Sequence, residues 1–157
     1  MIEVEIHQRR VFITDAVFNI FRKFQQIKAS SYENGGILMG QVSGSNKNIL
    51  ICRASIPTHL DKNGENYFYR SMQFAQQIVD YEFYNSTGRN TYLGEWHTHP
   101  AKNATPSRQD IDMIKTQFKE NKIQTNFLLL CVVGMSDLYL GFYDGDVLYP
   151  SVLSFKK

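Results

Sequence analysis

His97 and His99 stand two residues apart, and Asp110 follows at the start of a segment with helical spacing. Two imidazoles and a carboxylate are ligands of the type catalytic zinc sites use, with a fourth position left open for water. A second carboxylate, Glu33 in the run Tyr32-Glu33-Asn34-Gly35-Gly36, comes from far upstream and offers a group that can take a proton from such a water. Together these groups point to metal-assisted hydrolysis. Each also has a simpler reading of its own. A His-x-His pair occurs on ordinary surfaces, Ser107-x-x-Asp110 is a capping-box pattern, and an acid before two glycines is a common turn residue.

The elements that must position these groups are legible nearby. Residues 91–97, Thr-Tyr-Leu-Gly-Glu-Trp-His, are rich in β-formers and predict a strand. Side chains at i and i+2 of a strand share a face, so His97 and His99 project together. Pro100 then takes the chain out of the sheet. Thr105-Pro106-Ser107 predicts a helix start, with a hydroxyl cap and a proline at the first helical position. Ile111, Ile114 and Phe118 give that helix a buried stripe, and Ser107 and Asp110 share one face of its first turn. Glu95 lies one step back on the histidine face; it either orients an imidazole or is a polar residue beside the cleft.

Elsewhere, Ile2 to Ile6 alternates as a short strand, and Thr14 caps a helix whose Val17, Ile20, Phe21, Phe24 and Ile27 are predicted core. Gly36 to Val42 and Ile49 to Ile56 read as strands joined by a turn over residues 43–48. Thr58 to Asn66 reads as a flexible polar loop, with His59 an exposed member of it. Ser71 opens a helix through about Asn85, ended by Gly88, and strands over 126–133, 138–143 and 147–155 close the chain as a meander. No repeat or linker interrupts this order, which predicts one α/β domain over residues 1–157, a mixed sheet flanked by helices.

Composition fits an ordinary globular chain. The 157 residues can bury roughly two thirds of their unfolded surface. The nine Tyr and eleven Phe are expected mostly in the core. A net charge of +2 gives no footprint for nucleic acid, and Arg9-Arg10 and Lys156-Lys157 read as solvated surface pairs. Glu3, Glu5, Arg9 and Arg10 argue against a signal peptide, and the longest apolar run, Phe127 to Val133, is too short to span a membrane. Cys52 and Cys131 have no C-x-x-C spacing, so free buried thiols in a reducing cytoplasm are expected. His7 reads as structural or exposed.

The full run His97-x-His99-Pro100-x6-Ser107-x-x-Asp110 resembles the signature of the JAMM, or MPN-plus, zinc metalloproteases. Glu33 to Gly40, E-x-G-G-I-L-x-G, is similar to that family's second landmark, and Gly94 to Pro100 to its bacterial stand-alone branch. The resemblance implies an MPN (cytidine-deaminase-like) fold. It implies a zinc ion (Zn2+) on His97, His99 and Asp110, Glu33 as general base, and Ser107 as donor to the oxyanion of the tetrahedral intermediate. It also places Phe68 and Arg70 beside the substrate channel. The implied substrate is a ubiquitin-like protein or its conjugate, cut after the C-terminal tail, as in the deconjugating partners of ubiquitin-transfer-like operons, including antiphage systems. Processing of a sulfur-carrier precursor is a second reading, and a non-catalytic MPN scaffold a third, although the ligand set here is complete. The deaminase pattern, H-x-E with P-C-x-x-C, is absent. Neither the protein that is cut nor the oligomeric state is fixed by these residues.

Overall fold

Alternating apolar side chains build most of this molecule. Each half-buried strand needs a second layer to cover its inner face. In the computed structural model the chain runs β1 (Ile2–Ile6), β2 (Arg9–Ile13), α1 (Asp15–Lys23), β3 (Gly35–Ser43) and β4 (Asn48–Ala54). It continues through β5 (Lys62–Gly64), β6 (Tyr67–Tyr69), α2 (Met72–Asn85), β7 (Thr91–Thr98), α3 (Arg108–Glu120), β8 (Leu128–Val133), β9 (Asp137–Tyr143) and β10 (Leu148–Ser154). All residues are described except Ala29, Asn46, Lys156 and Lys157, so the terminal lysine pair and one residue of the β3–β4 turn lie outside the described residues.

Eight strands form one sheet in the order β1-β2-β4-β3-β7-β8-β9-β10, with β2–β4 and β7–β8 parallel and the other pairs antiparallel. One face buries Val11, Ile13, Leu38, Ile51, Trp96 and Leu129 with Val17 and Phe21 of α1. The other is covered in two places, by α3 through Ile114 on Leu128, Leu130 and Val132, and by α2 through Ala75 on Ile37 and Met39. The strand that carries His97 is therefore central and covered on both sides: from Leu93 to Thr98 every residue is buried. Gly94 has φ +146°, and a Cβ there would fall 1.9 Å from Leu129 O, so only glycine lets β7 lie this close to β8. The register of β3 on β7 slips at the same level, between Leu38 and Met39.

Several expectations need correction. β2 was not predicted. It follows a two-residue turn in which His7 and Gln8 both have positive φ, with Ile6 opposite Arg9. Ile27 lies past the end of α1 and is exposed rather than core, because the helix stops at Lys23 with Phe24 as its C-cap. The segment read as a loop over 58–66 is partly strand: β5 and β6 form a separate hairpin. Asp61 secures its base, accepting hydrogen bonds from Thr58 N at 2.6 Å and Ser71 N at 2.7 Å. The cap of α3 is Ser107, with Pro106 before the helix instead of inside it. The aromatic residues are not all core, since Tyr32, Tyr67, Tyr69, Tyr81 and Tyr84 are exposed. Arg10 is exposed as expected, but Arg9 is half-buried, its guanidinium 4.3 Å from the Phe142 ring centre. His7 is exposed and stacks on Tyr149. Among the described residues, no helix is long and apolar enough to cross a membrane.

Candidate metal centre

Parallel pairing of β7 with β8 sets His97 opposite Val132, and His99 N donates to Val133 O at 3.0 Å, which carries the extended geometry one residue past the strand. The i, i+2 alternation then puts both imidazoles on one side, ring centres 5.4 Å apart and planes at 28°. The loop after Pro100 returns the chain as α3. Here the cap and the candidate ligand are one device. Ser107 Oγ accepts from Asp110 N at 3.2 Å, and Asp110 Oδ2 accepts from Ser107 N at 2.6 Å. The box fixes the Asp110 side chain, and its carboxylate faces both histidines.

Asp110 Oδ1 lies 3.0 Å from His97 Nε2, and Oδ2 lies 3.1 Å from His99 Nε2. One donor atom from each of the three residues lies within 4.8 Å of the others. Ligand atoms around a tetrahedral zinc stand roughly 3.3 Å from one another, given bond lengths near 2.0–2.1 Å. His97 Nε2 is buried and has no hydrogen-bond partner among the described residues, despite the close carboxylate. A buried, unpartnered imidazole nitrogen beside two further donor atoms is an arrangement that a shared cation would complete. The three residues fit a metal ion.

These groups also act on one another electrostatically. Burial alone would raise the Asp110 carboxyl, but His97, His99 and the Ser107 N–H outweigh it and hold it far below the carboxylate range. Burial would lower His99, and the Asp110 and Glu33 carboxylates reverse that and raise it.

Glu33 arrives by register. β3 runs antiparallel to β7 with Gly35 opposite His97; one step on, Asn34 and Thr98 exchange Asn34 N to Thr98 Oγ1 at 3.0 Å and Thr98 N to Asn34 O at 2.8 Å. Glu33 therefore falls beside His99, with Oε1 3.9 Å from Nε2. The hairpin holds it from the other side: Glu33 N donates to Gly64 O at 2.7 Å, and Asn63 Nδ2 donates to Glu33 O at 2.8 Å. Burial pushes the Glu33 carboxyl up, partly offset by the two histidines. Gly35 is needed for this closeness, since a Cβ there would meet Trp96 O at 2.5 Å and the Phe68 ring at 2.7 Å.

All five expected site residues, Glu33, His97, His99, Ser107 and Asp110, line one cleft of about 490 Å³. Phe68 lines it too, as expected. Arg70 does not. It forms a buried ion pair with Glu95, Nε at 2.8 and 2.9 Å from the two carboxylate oxygens and Nη2 at 2.7 Å, and Tyr92 O–H donates to Glu95 at 2.6 Å. Glu95 thus ties the hairpin exit to β7 and does not orient an imidazole. His59 is exposed and is not among the cleft-lining residues. The sequence reading missed Tyr69 and Gln109, whose hydrogen bond at 2.7 Å joins the two walls of the cleft, and the buried pair Gln26 and Thr98 behind Glu33. Only Thr98 carried a signal, since alternation turns it away from its histidine neighbours. Cys52 and Cys131 are free thiols outside the cleft, and burial pushes both up, away from the thiolate.

Residues 16–139 match the family of prokaryotic homologs of the JAB domain. A protein of Vibrio cholerae serotype O1 named CD-NTase/cGAS isopeptidase is 30% identical over 131 residues, covering 83% of this chain and 80% of that protein. A Pseudomonas aeruginosa protein of the same name is 32% identical over 130 residues, covering 80% of this chain and 78% of its own. A solution structure of a protein from Desulfitobacterium hafniense superposes with a TM-score of 0.58 at 18% identity, covering 90% of this chain and 89% of that one. At that identity it speaks for the fold alone, which is the MPN-like α/β arrangement.

Proposed function

The chain belongs to the prokaryotic homologs of the JAB domain, and from that premise we propose that it is a zinc metallopeptidase that cuts the isopeptide bond following the C-terminal tail of a ubiquitin-like protein. The observation that carries the reading is the meeting of His97, His99 and Asp110 with Glu33 in one cleft, three donor atoms converging and a raised carboxyl beside them. Zinc bound there supplies a Lewis acid and a lowered pKa for water. Glu33 accepts the proton of the attacking water and passes it to the leaving amine. Ser107 Oγ spends a lone pair on Asp110 N, which leaves its O–H free to donate to the developing oxyanion. Phe68 and Met113 line the cleft with apolar surface that excludes bulk water. β6 has β5 as its one sheet neighbour among the described residues, so an extended tail can pair with its outer edge and bring its carbonyl toward the site.

The name shared by the relatives favours deconjugation over precursor processing, with a CD-NTase as the protein released. The reading places the enzyme in the cytoplasm as part of an antiphage system. The test is incubation of zinc-loaded protein with isopeptide-linked conjugates of a ubiquitin-like protein and a CD-NTase, with linear fusions alongside, followed by mass measurement of the products. Cleavage after the tail is expected. Cleavage within unstructured casein with no preference for tailed domains overturns it.

A further inference from the structure

Gln26 is fully buried, yet it lies beyond the end of α1 in a segment with no regular structure. Its amide is used at both ends. Nε2 donates to Ser31 O at 2.8 Å and to Glu65 O at 3.4 Å, and Oε1 faces Thr98 Oγ1 at 2.8 Å. The direction of every bond follows from this. The Ser31 and Glu65 carbonyls can only accept, so the NH2 group faces them and Oε1 faces Thr98. Thr98 must then donate its hydroxyl proton to Gln26, which leaves a lone pair to accept from Asn34 N at 3.0 Å.

The groups joined by this one amide are the parts of the site that have to agree in position. Thr98 stands between His97 and His99. Asn34 follows Glu33, and Ser31 precedes Glu33 by two residues. Glu65 sits in the hairpin turn next to Gly64, whose carbonyl accepts from Glu33 N. Gln26 itself does not line the cleft. We infer that Gln26 is the positioning residue of this site: acting through Thr98, it fixes where Glu33 stands relative to His97 and His99. A solvated polar residue tolerates many arrangements, whereas a buried amide with all its partners in place has few. The inference rests on the reading of Glu33 as the proton acceptor.

The test uses Gln26→Met, which keeps the length and removes the amide, together with Thr98→Val and Thr98→Ser, each as the full chain loaded with zinc. Gln26→Met and Thr98→Val are expected to hold one zinc per chain and to keep KM within about twofold, while kcat falls about tenfold to a hundredfold. The double variant is expected to be no slower than the slower single one, because both act along one chain of bonds. Thr98→Ser, which keeps the hydroxyl, is expected to restore most of kcat. A second readout needs no turnover: the Asn34 amide is expected to exchange its hydrogen at least about tenfold faster in Gln26→Met and Thr98→Val, with or without zinc. Wild-type kcat in Thr98→Val, an unchanged Asn34 exchange rate, or a Thr98→Ser variant as slow as Thr98→Val overturns the inference. Full turnover in Glu33→Gln, with Asn34 exchange responding as stated, instead overturns the assignment of the base and leaves the bond network intact.

Discussion

The proposed ligand half and the proposed base half of this site are built by different means. His97, His99 and Asp110 come from one short run of chain, placed by a strand end and a capped helix that each form from local rules. Glu33 is placed by bonds that reach to Gly64, Asn63 and Thr98, with Gln26 behind them. The first leans outside its own run on β8, where Val133 O accepts from His99 N; the second depends on four chain segments agreeing. If the proposed roles hold, metal binding and proton transfer are separable, and disturbance far from the cleft is expected to reach the second before the first.

The largest effect that can break this comparison is in the ligand half. His97→Ala, His99→Ala and Asp110→Ala are each expected to lose bound zinc and abolish turnover, since a three-ligand site loses its hold with any one member gone. Metal analysis after gel filtration checks it, and full zinc in any of the three variants refutes that residue as a ligand. Next is Glu33→Gln, which keeps shape but cannot accept the proton. Turnover should fall about a hundredfold to ten-thousandfold with zinc retained, and near-normal activity would move the base elsewhere.

Arg70→Met sharpens the comparison from the structural side. It leaves Glu95 buried with Tyr92 as its remaining partner. A loss of about 3 kcal/mol in unfolding free energy is expected, with zinc content unchanged; denaturant titration and metal analysis together decide whether the pair supports the fold or the metal. The smallest of the four is Ser107→Ala. Loss of an oxyanion donor lowers turnover by roughly a hundredfold, while loss of the cap costs about 1 kcal/mol of stability. A variant that loses only stability would confine Ser107 to capping.

The sequence made the local half of the site readable and left the long-range half dark. The histidine pair, the proline exit and the serine–aspartate box all follow from spacing within one stretch, and the strands and helices that carry them lie close to where alternation and helical periodicity put them. Residue chemistry marks Glu33 as a carboxylate able to take a proton, but a turn acid has the same look, and only the likeness to a family landmark ties it to the histidine run. The β5–β6 hairpin was hidden because β5 lies in a polar run, and its order comes from Asp61, which reaches on to Ser71, and from bonds to the distant Glu33. β2 was hidden because its entry turn, His7-Gln8, takes two positive φ angles without the Asn-Gly or Asp-Gly that usually announce them. For Glu95, alternation gave the correct face but could not supply Arg70, which arrives from a different element. By periodicity Gln26 reads as a polar residue within the first helix; its burial is a fact of tertiary structure alone.

The box shared by Ser107 and Asp110 has one more consequence, for which cation the protein admits. Asp110 is held by its own helix, and the two imidazoles by a central strand, so the opening between them has a size the backbone dictates and a metal cannot easily adjust. Zinc is satisfied by four ligands at about 2.0–2.1 Å. Calcium demands six to eight oxygens at about 2.3–2.6 Å and gains little from imidazole nitrogen. A stiff triad with two nitrogens should thus reject the abundant hard cations by geometry, and a large excess of calcium is expected to leave zinc occupancy, measured at equilibrium, where it was.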